Sequence, residues 1–110
     1  MDTEVVQNET SAKIAALNDE HRRNMQGCTV TRGVVSMGSA ANEVFVGVRD
    51  YTAFTEDNDP YGEHDFGSLK VAGEKIFWKI DYYDENLSNW CDPLDPDCHR
   101  VLTIMLAEEY

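Results

Sequence analysis

The alternation of apolar and polar residues in residues 69–83 constrains the fold more than any other feature of this sequence. A short turn at residues 72–74, which includes Gly73, separates an apolar pair from a strictly alternating run. A period of two residues is typical of a strand with one buried face, and a short turn between two such strands predicts a hairpin. The side expected to face the core is Ile76, Trp78, Ile80 and Tyr82, and the opposite side is Phe77, Lys79, Asp81 and Tyr83.

Two further strands are predicted on either side of this hairpin. Residues 100–107 are apolar at nearly every position, which is typical of a strand covered on both faces in the middle of a sheet. Residues 28–31 alternate and are rich in β-branched side chains, so they predict a short strand.

Two segments have helical spacing. Thr10 or Ser11 can cap a helix that ends near residue 24, because apolar residues recur three or four positions apart. A second helix is predicted over residues 39–54, although a glycine and several valines make a strand at residues 44–48 the competing prediction. The core face expected for the first helix is Ile14, Leu17, His21 and Met25.

The predicted order of elements is therefore α-β-α-β-β-β. This order favours an α+β fold in which two helices pack on one face of an antiparallel sheet of about four strands. Residues 1–9 are polar enough to be a flexible N-terminus, and residues 10–110 have the length of a single domain.

The sequence also bears on the compartment. Its longest apolar run is about seven residues, far short of the ~20 that a membrane-spanning helix needs. Three cysteines without a secretory signal favour a reducing cytoplasm. Cys91 and Cys98 could pair with each other or bind a metal, and the sequence leaves this open.

Acidic charge is concentrated in the second half of the chain. The net charge is -12, and 14 of the 21 acidic residues lie in residues 55–110. Residues 56–65 and 81–97 contain no lysine or arginine. Direct binding to nucleic acid or to anionic lipid is disfavoured, because both require clustered basic residues.

An acidic surface with aromatic rings predicts a binding site for a basic protein surface, such as the groove of a nucleic-acid enzyme that normally holds phosphates. The alternative is that a homodimer partner or the loop at residues 84–99 covers the rings. The predicted partner-binding residues are Glu56, Asp57, Asp59, Tyr61, Glu63, Asp65, Phe77, Asp81, Tyr83, Asp84, Glu85, Asp92, Asp95 and Asp97.

The loop at residues 57–65 also suggests chemistry. Glu63, His64 and Asp65 place an imidazole beside carboxylates, the minimal general base of an enzyme. If they face each other, these residues are the catalytic candidates. On a strand, however, the two acids would point away from the histidine.

The same loop contains oxygen and nitrogen ligands for a divalent cation, with Asp57, Asp59, Glu63 and His64 as the candidates. It departs from a calcium-binding EF-hand loop, because the twelfth position is Ser68 in place of a bidentate glutamate. A zinc site with both loop cysteines lacks the short paired spacing of structural zinc sites. No cofactor is therefore expected, and a divalent cation is the alternative.

Three long motifs resemble a family of small, functionally uncharacterised bacterial proteins known only as a domain of unknown function. They are FTEDNDPYGEHDFG at residues 54–67, FWKIDYYD at residues 77–84 and RVLTIMLAEEY at residues 100–110. The resemblance implies no known activity. The presence of such proteins among accessory genes of plasmid-rich bacteria implies a role in mobile-element or host-defence biology.

Two functions follow as predictions. The first is a non-enzymatic acidic binding protein that mimics nucleic acid and acts as an inhibitor or accessory factor. The second is a small divalent-metal-dependent enzyme or metal-responsive module that uses residues 57–65.

Overall fold

The computed structural model describes residues 3–110, with side chains from residue 9 onward. Three helices and a short strand come first along this part of the chain, three longer strands follow, and a short 3₁₀ turn, Ala107–Glu109, comes after the last strand. The elements are α1 (Thr3–Asn24), β1 (Thr29–Val30), α2 (Arg32–Val35), α3 (Ala40–Arg49), β2 (Phe66–Val71), β3 (Glu74–Tyr83) and β4 (His99–Leu106).

The four strands of the described residues form one sheet in the order β1-β4-β3-β2. β2 and β3 are the predicted hairpin, and Ala72 and Gly73 both have the positive φ angles that a two-residue hairpin turn requires. β4 lies inside the sheet between β1 and β3, which confirms the prediction from its apolar composition.

The α+β class is confirmed, but the prediction of a purely antiparallel sheet is wrong. β1 pairs parallel to β4, with Thr29 opposite Thr103. A parallel pair needs a long crossover connection, and here the whole chain between β1 and β4 supplies it. The direction of so short a strand depends on that connection and not on its own residues.

The helices pack on one face of the sheet, as predicted. On β3, the side formed by Ile76, Trp78, Ile80 and Tyr82 is buried, whereas the alternate side is half-buried. The buried side contacts apolar residues of all three helices, including Ile14 of α1, Val34 of α2 and Val44 and Val48 of α3. The opposite face of the sheet carries the half-buried residues Phe77, Lys79, Asp81 and Tyr83 of β3; we call it the open face.

The helix boundaries differ from the predictions. α1 already includes Thr3, so the predicted cap at Thr10 or Ser11 is wrong. Residues 1 and 2 lie outside the described residues, and the flexible N-terminus at residues 1–9 and the single domain at residues 10–110 stay predictions. α3 ends at Arg49, before residue 54, and the competing strand at residues 44–48 is wrong.

The short helix α2 lies in a segment for which the sequence predicted no helix. Its position depends on a contact with the other end of the chain. Glu109 accepts hydrogen bonds from the Thr31 hydroxyl at 2.6 Å and from the Gly33 backbone N–H at 3.0 Å. A contact between residues so far apart in sequence has no local signature.

Gly67 allows the largest core side chain to lie across β2. A Cβ atom at this position would collide with the indole ring of Trp78, its partner on β3. Trp78 is fully buried and contacts the rings of Tyr51 and Phe54 edge-on.

None of the helices in the described part of the chain has both the length and the apolar composition that crossing a membrane requires.

Candidate functional site

Two acidic loops lie at the same end of the sheet. The first acidic loop (residues 54–65) leads into β2, and the second acidic loop (residues 84–98) joins β3 to β4. Phe66 at the start of β2 pairs with Lys79 near the end of β3, and the end of β3 pairs with the start of β4. Both loops therefore leave one end of the sheet, which we call the acidic end.

Carboxylates at the acidic end are close enough to repel each other. Burial raises the pKa of Glu63, and the charges of Asp65 and Asp59 raise it further. Burial also raises the pKa of Asp65; a hydrogen bond from its own backbone opposes this, and Asp59 and Asp81 add to the increase. The negative charges at this end therefore disfavour the ionised forms of neighbouring carboxyl groups at the same end.

Several predicted binding residues hold the second acidic loop together. The Asp84 carboxylate accepts three backbone N–H groups of its own loop at distances of 3.1–3.4 Å. Asp92 and Asp95 each accept the backbone N–H two residues further along, at 2.9 and 2.8 Å. These acids close tight turns, so only part of their hydrogen-bonding capacity is free for a partner.

Other predicted residues face solvent. Glu56, Asp57, Glu85 and Asp97 are exposed, and within the described residues their side chains take no part in the hydrogen bonds or ion pairs of the fold. Tyr61, in the first acidic loop, is 78% exposed. These side chains form the accessible part of the acidic end.

Phe77 and Asp81 lie on the open face. The Phe77 ring packs against Phe66 and Tyr110, with ring centroids 5.2 and 5.6 Å away. Asp81 forms an ion pair with Lys79 at 2.8 Å. The predicted orientation of Phe77, away from the helices, is confirmed, and its ring belongs to an aromatic cluster with Phe66 and Tyr110 on the open face.

His64 is held by a residue that the sequence did not single out. Its Nδ1 atom lies 3.0 and 3.1 Å from the two carboxylate oxygens of Asp19 on α1. Its ring stacks on Phe54 with a centroid distance of 3.7 Å. Its Nε2 atom lies 3.6 Å from Asp59, too far for a hydrogen bond. The imidazole is therefore clamped between α1 and its own loop.

The predicted catalytic group does not converge as adjacent residues. Asp19, and not Glu63 or Asp65, holds the imidazole of His64, and the acidic neighbours act on each other through their charges. The Glu63 backbone carbonyl instead accepts a hydrogen bond from α1. This geometry orients the ring, but both of its nitrogens face carboxylates.

Asn18 ties the first acidic loop to the sheet. Its buried amide donates to the Glu63 carbonyl at 2.9 Å and to the Tyr82 hydroxyl at 2.8 Å. Its oxygen accepts Nε of Arg100 at 2.7 Å. Burial raises the pKa of Tyr82 to about 12, so this hydroxyl stays protonated and can serve as donor and acceptor.

Arg22 is the second buried polar residue of α1. It is fully buried and donates to the backbone carbonyls of Val48 and Tyr51, each at 2.9 Å. Its third hydrogen bond goes to Asp19, also at 2.9 Å. Its guanidinium lies over the Trp78 ring, 5.0 Å from the centroid. The arginine thus stabilises the segment that leads into the first acidic loop.

The buried face of α1 differs from the predicted one. Ile14, Asn18 and Arg22, spaced four residues apart, are buried, whereas Leu17 is 41% exposed. Asparagine and arginine are rarely buried, so the predicted core face does not include Asn18 and Arg22 although they have helical spacing. The sequence signal for their burial was this spacing, which places Asn18 and Arg22 on the same side of the helix as Ile14.

The candidate metal ligands Asp57, Asp59, Glu63 and His64 do not form a cluster. Within the described residues, no three side chains of histidine, cysteine, aspartate or glutamate are arranged so that they could hold a metal ion. Cys91 and Cys98 are free thiols, and burial raises the pKa of both.

Comparison with protein-family models gives a match over residues 30–109 to a family described as a protein of unknown function, DUF3768. The chain belongs to this family. The match spans the sheet, α2, α3 and both acidic loops, and begins after α1. No curated protein and no solved structure matches the chain.

Proposed function

We propose that this member of the DUF3768 family is a non-enzymatic binding protein whose acidic end engages a basic protein surface. The observation that carries the proposal is the position of the two acidic loops at one end of the sheet. Neither loop contains a lysine or an arginine. A long stretch of negative charge on one surface attracts and orients a positively charged partner.

The mutual repulsion of the carboxylates supports this proposal. Glu63 and Asp65 are ionised at neutral pH only at a cost, because burial and neighbouring acids raise the pKa of each. A lysine or arginine placed beside them would lower that cost. A cationic surface should therefore bind these carboxylates in the folded protein more tightly than it would bind single carboxylates far from other acids.

A groove that binds nucleic acid is the kind of basic surface that fits best. Its lysines and arginines are arranged for a row of phosphates, and exposed carboxylates such as Glu56, Asp57, Glu85 and Asp97 can take the place of phosphates. We place this encounter in the cytoplasm, in keeping with the free thiols of the chain. In this role the protein would act as an inhibitor or an accessory factor of a nucleic-acid enzyme.

The metal-dependent alternative has less support. His64 has carboxylates at both ring nitrogens and is 27% exposed, so it offers little access to a substrate or an ion. No specific contact among the described residues favours catalysis at residues 57–65.

The test is partner capture with two variants of equal charge. In the loop variant, Glu56→Gln, Asp57→Asn, Glu85→Gln and Asp97→Asn remove four exposed carboxylates from the acidic end. In the matched control, Glu9→Gln, Glu43→Gln, Glu74→Gln and Glu108→Gln remove four exposed carboxylates from elsewhere. The immobilised proteins are incubated with lysate of the source organism, and bound proteins are eluted with increasing salt.

The proposal predicts a basic partner that binds the wild type and the control variant, dissociates as salt rises, and is lost with the loop variant. If both variants retain the partner equally, net charge and not the acidic end is responsible, and the proposal is wrong. A partner that resists high salt would contradict it as well.

A further inference from the structure

A cavity lies at the acidic end, along the free edge of β3. β3 continues past the start of β2, so the edge of its last residues is not covered by β2. Asp65 lies at one side of this edge and Trp90 at the other. Together with residues 80–83 they enclose a cavity of about 370 Å³, which we call the notch.

The notch has an aromatic wall, Trp90, whose backbone is held by hydrogen bonds to the end of β3. Trp90 is 71% exposed, although a tryptophan side chain usually gains stability from burial. It forms an antiparallel bridge with Tyr83, and the next backbone N–H, that of Cys91, donates to the Tyr82 carbonyl at 3.3 Å. The turns closed by Asp84 precede it directly. The ring is therefore presented to solvent by an ordered backbone.

The notch also has carboxylates. Asp65 and Asp81 both line it. Asp81 is already paired with Lys79, whose side chain lies outside the lining. Within the described residues, the Asp65 carboxylate has a hydrogen bond only from its own backbone, and it repels Asp59 and Asp81. A positive charge inside the notch would have this carboxylate as its counter-ion.

We infer that the notch binds one cationic side chain, an arginine or a lysine, of the basic partner. A cation over the face of an exposed indole is stabilised by the ring, and a neighbouring carboxylate adds a charge-assisted hydrogen bond. The Tyr83 ring and the exposed Trp90 supply apolar surface for the methylene stem of such a side chain. This inference rests on the proposed function and gives the acidic end one defined anchoring site.

The inference separates two parts of the acidic end. The exposed loop carboxylates attract the partner over a distance, whereas the notch contacts one of its side chains directly. Residues buried at the centre of an interface contribute more to affinity than charges at its rim, and tryptophan is prominent among them. Trp90 is therefore expected to matter more for the lifetime of the complex than any single loop carboxylate.

The test is an NMR titration of the full-length protein with N-acetyl-argininamide and, separately, N-acetyl-lysinamide. N-acetyl-glutaminamide is the uncharged control. The chain has two tryptophans, so it gives two indole N–H signals, and Trp78 is fully buried. We expect the Trp90 indole signal to shift with either cationic amide and to saturate, while the Trp78 signal stays in place and the uncharged amide has little effect.

Variants then locate the site. Trp90→Leu keeps an apolar side chain but removes the ring face, so its titration is followed on the backbone amide signals of residues 80–83, which line the notch. It is expected to weaken binding of the cationic amide about 2- to 30-fold. Asp65→Asn should weaken it as well, whereas Asp97→Asn, which removes an exposed carboxylate of the second loop, should not. The Trp78 signal reports whether each variant keeps the native core.

Two results would overturn the inference: a Trp90 signal that does not move or that moves equally with the glutamine amide, and unchanged affinity in Trp90→Leu. Capture of the natural partner separates this failure from that of the proposed function. If Trp90→Leu binds the partner as the wild type does while the loop variant does not, the inference about the notch is wrong and the proposed role of the acidic end is supported. If the loop variant also holds it, the proposed function fails.

Discussion

The two acidic loops carry similar charge but are held in different ways. The first acidic loop is fixed by residues of α1, 45 positions away in sequence: Asn18 binds the Glu63 carbonyl, and Asp19 binds His64. The second acidic loop is closed mainly by its own carboxylates, such as Asp84, which accept backbone N–H groups a few residues away. Asn58 and Asp59 also close local turns in the first loop, but that loop is in addition tied to α1, whereas the second loop is held mainly by local contacts.

This difference shows how the acidic end is assembled. Repelling carboxylates in the first loop need an external support, and α1 provides it with buried polar side chains. In the second loop, several carboxylates are stabilised by the turns they close. Perturbing Asp19 or Arg22 of α1, which contact the first loop and the segment before it, should therefore disorder the first loop and leave the second loop almost unchanged.

The largest effect is expected for Arg22→Ala. The substitution removes three hydrogen bonds; the Tyr51 carbonyl loses its donor in the core, while the Val48 carbonyl keeps the hydrogen bond from the Tyr51 backbone N–H. Loss of one partner of a buried charged network costs about 3–5 kcal/mol. Urea denaturation measures this loss, and hydrogen exchange should rise in the first loop before the second. Arg23→Ala, an exposed neighbour, is the control and should change stability by less than about 0.5 kcal/mol.

An intermediate effect is expected for the contact between His64 and Asp19. His64→Ala and Asp19→Ala should each destabilise the fold, and the double variant should lose less than the sum of the two. A coupling energy of about 0.5–3 kcal/mol is typical of residues in direct contact. Denaturation of the four proteins in a double-mutant cycle measures it. Additive losses would show that the 3.0 Å contact contributes nothing to holding the first loop.

The smallest effect is a difference in pH dependence between the loops. Burial raises the pKa of Asp65 in the folded state, so its contribution to stability falls as the pH rises through that folded value. Asp65→Asn should therefore raise the urea midpoint at pH 7, and the gain should shrink as the pH approaches 3.8, the ordinary value for aspartate.

Asp84 should behave in the opposite way. Hydrogen bonds from the Ser88 backbone, the Asn89 side chain and other loop groups lower its pKa, so its contribution is present above the ordinary value and is lost as the pH falls through the folded value. Asp84→Asn should lower the midpoint at pH 7, and the loss should vanish in acid. The urea midpoints of both variants, measured between pH 3 and 7, test these two expectations. Changes of the same sign in the two variants would contradict the contrast between the loops.

The sheet was largely predictable because its signals are local. Period-two alternation identified β2 and β3, and the apolar run at residues 100–107 identified β4 as an interior strand. These strands also imply that both acidic loops leave one end of the sheet, because consecutive antiparallel strands place alternate connections at the same end. The charge pattern and this topology together were enough to anticipate the acidic end.

The supports of that end were not predictable. Asn18, Asp19 and Arg22 look like surface residues of a helix, and only their partners, which lie far along the chain, make them internal. The direction of β1 has the same origin, since two residues cannot specify a parallel or an antiparallel neighbour. Trp90 could be recognised as aromatic but not as exposed, because its bridge to Tyr83 sets its position.

The central claim is that the two loops form one electronegative surface, and NMR with charged paramagnetic cosolutes tests it most directly. A cationic and an anionic nitroxide are compared, and the ratio of their relaxation effects reports the potential at each amide. The account predicts the most negative potentials at residues 54–65 and 84–98, and the least negative at the hairpin turn between Lys70 and Lys75. A potential of similar size over the whole molecule, or a minimum in only one loop, would contradict it.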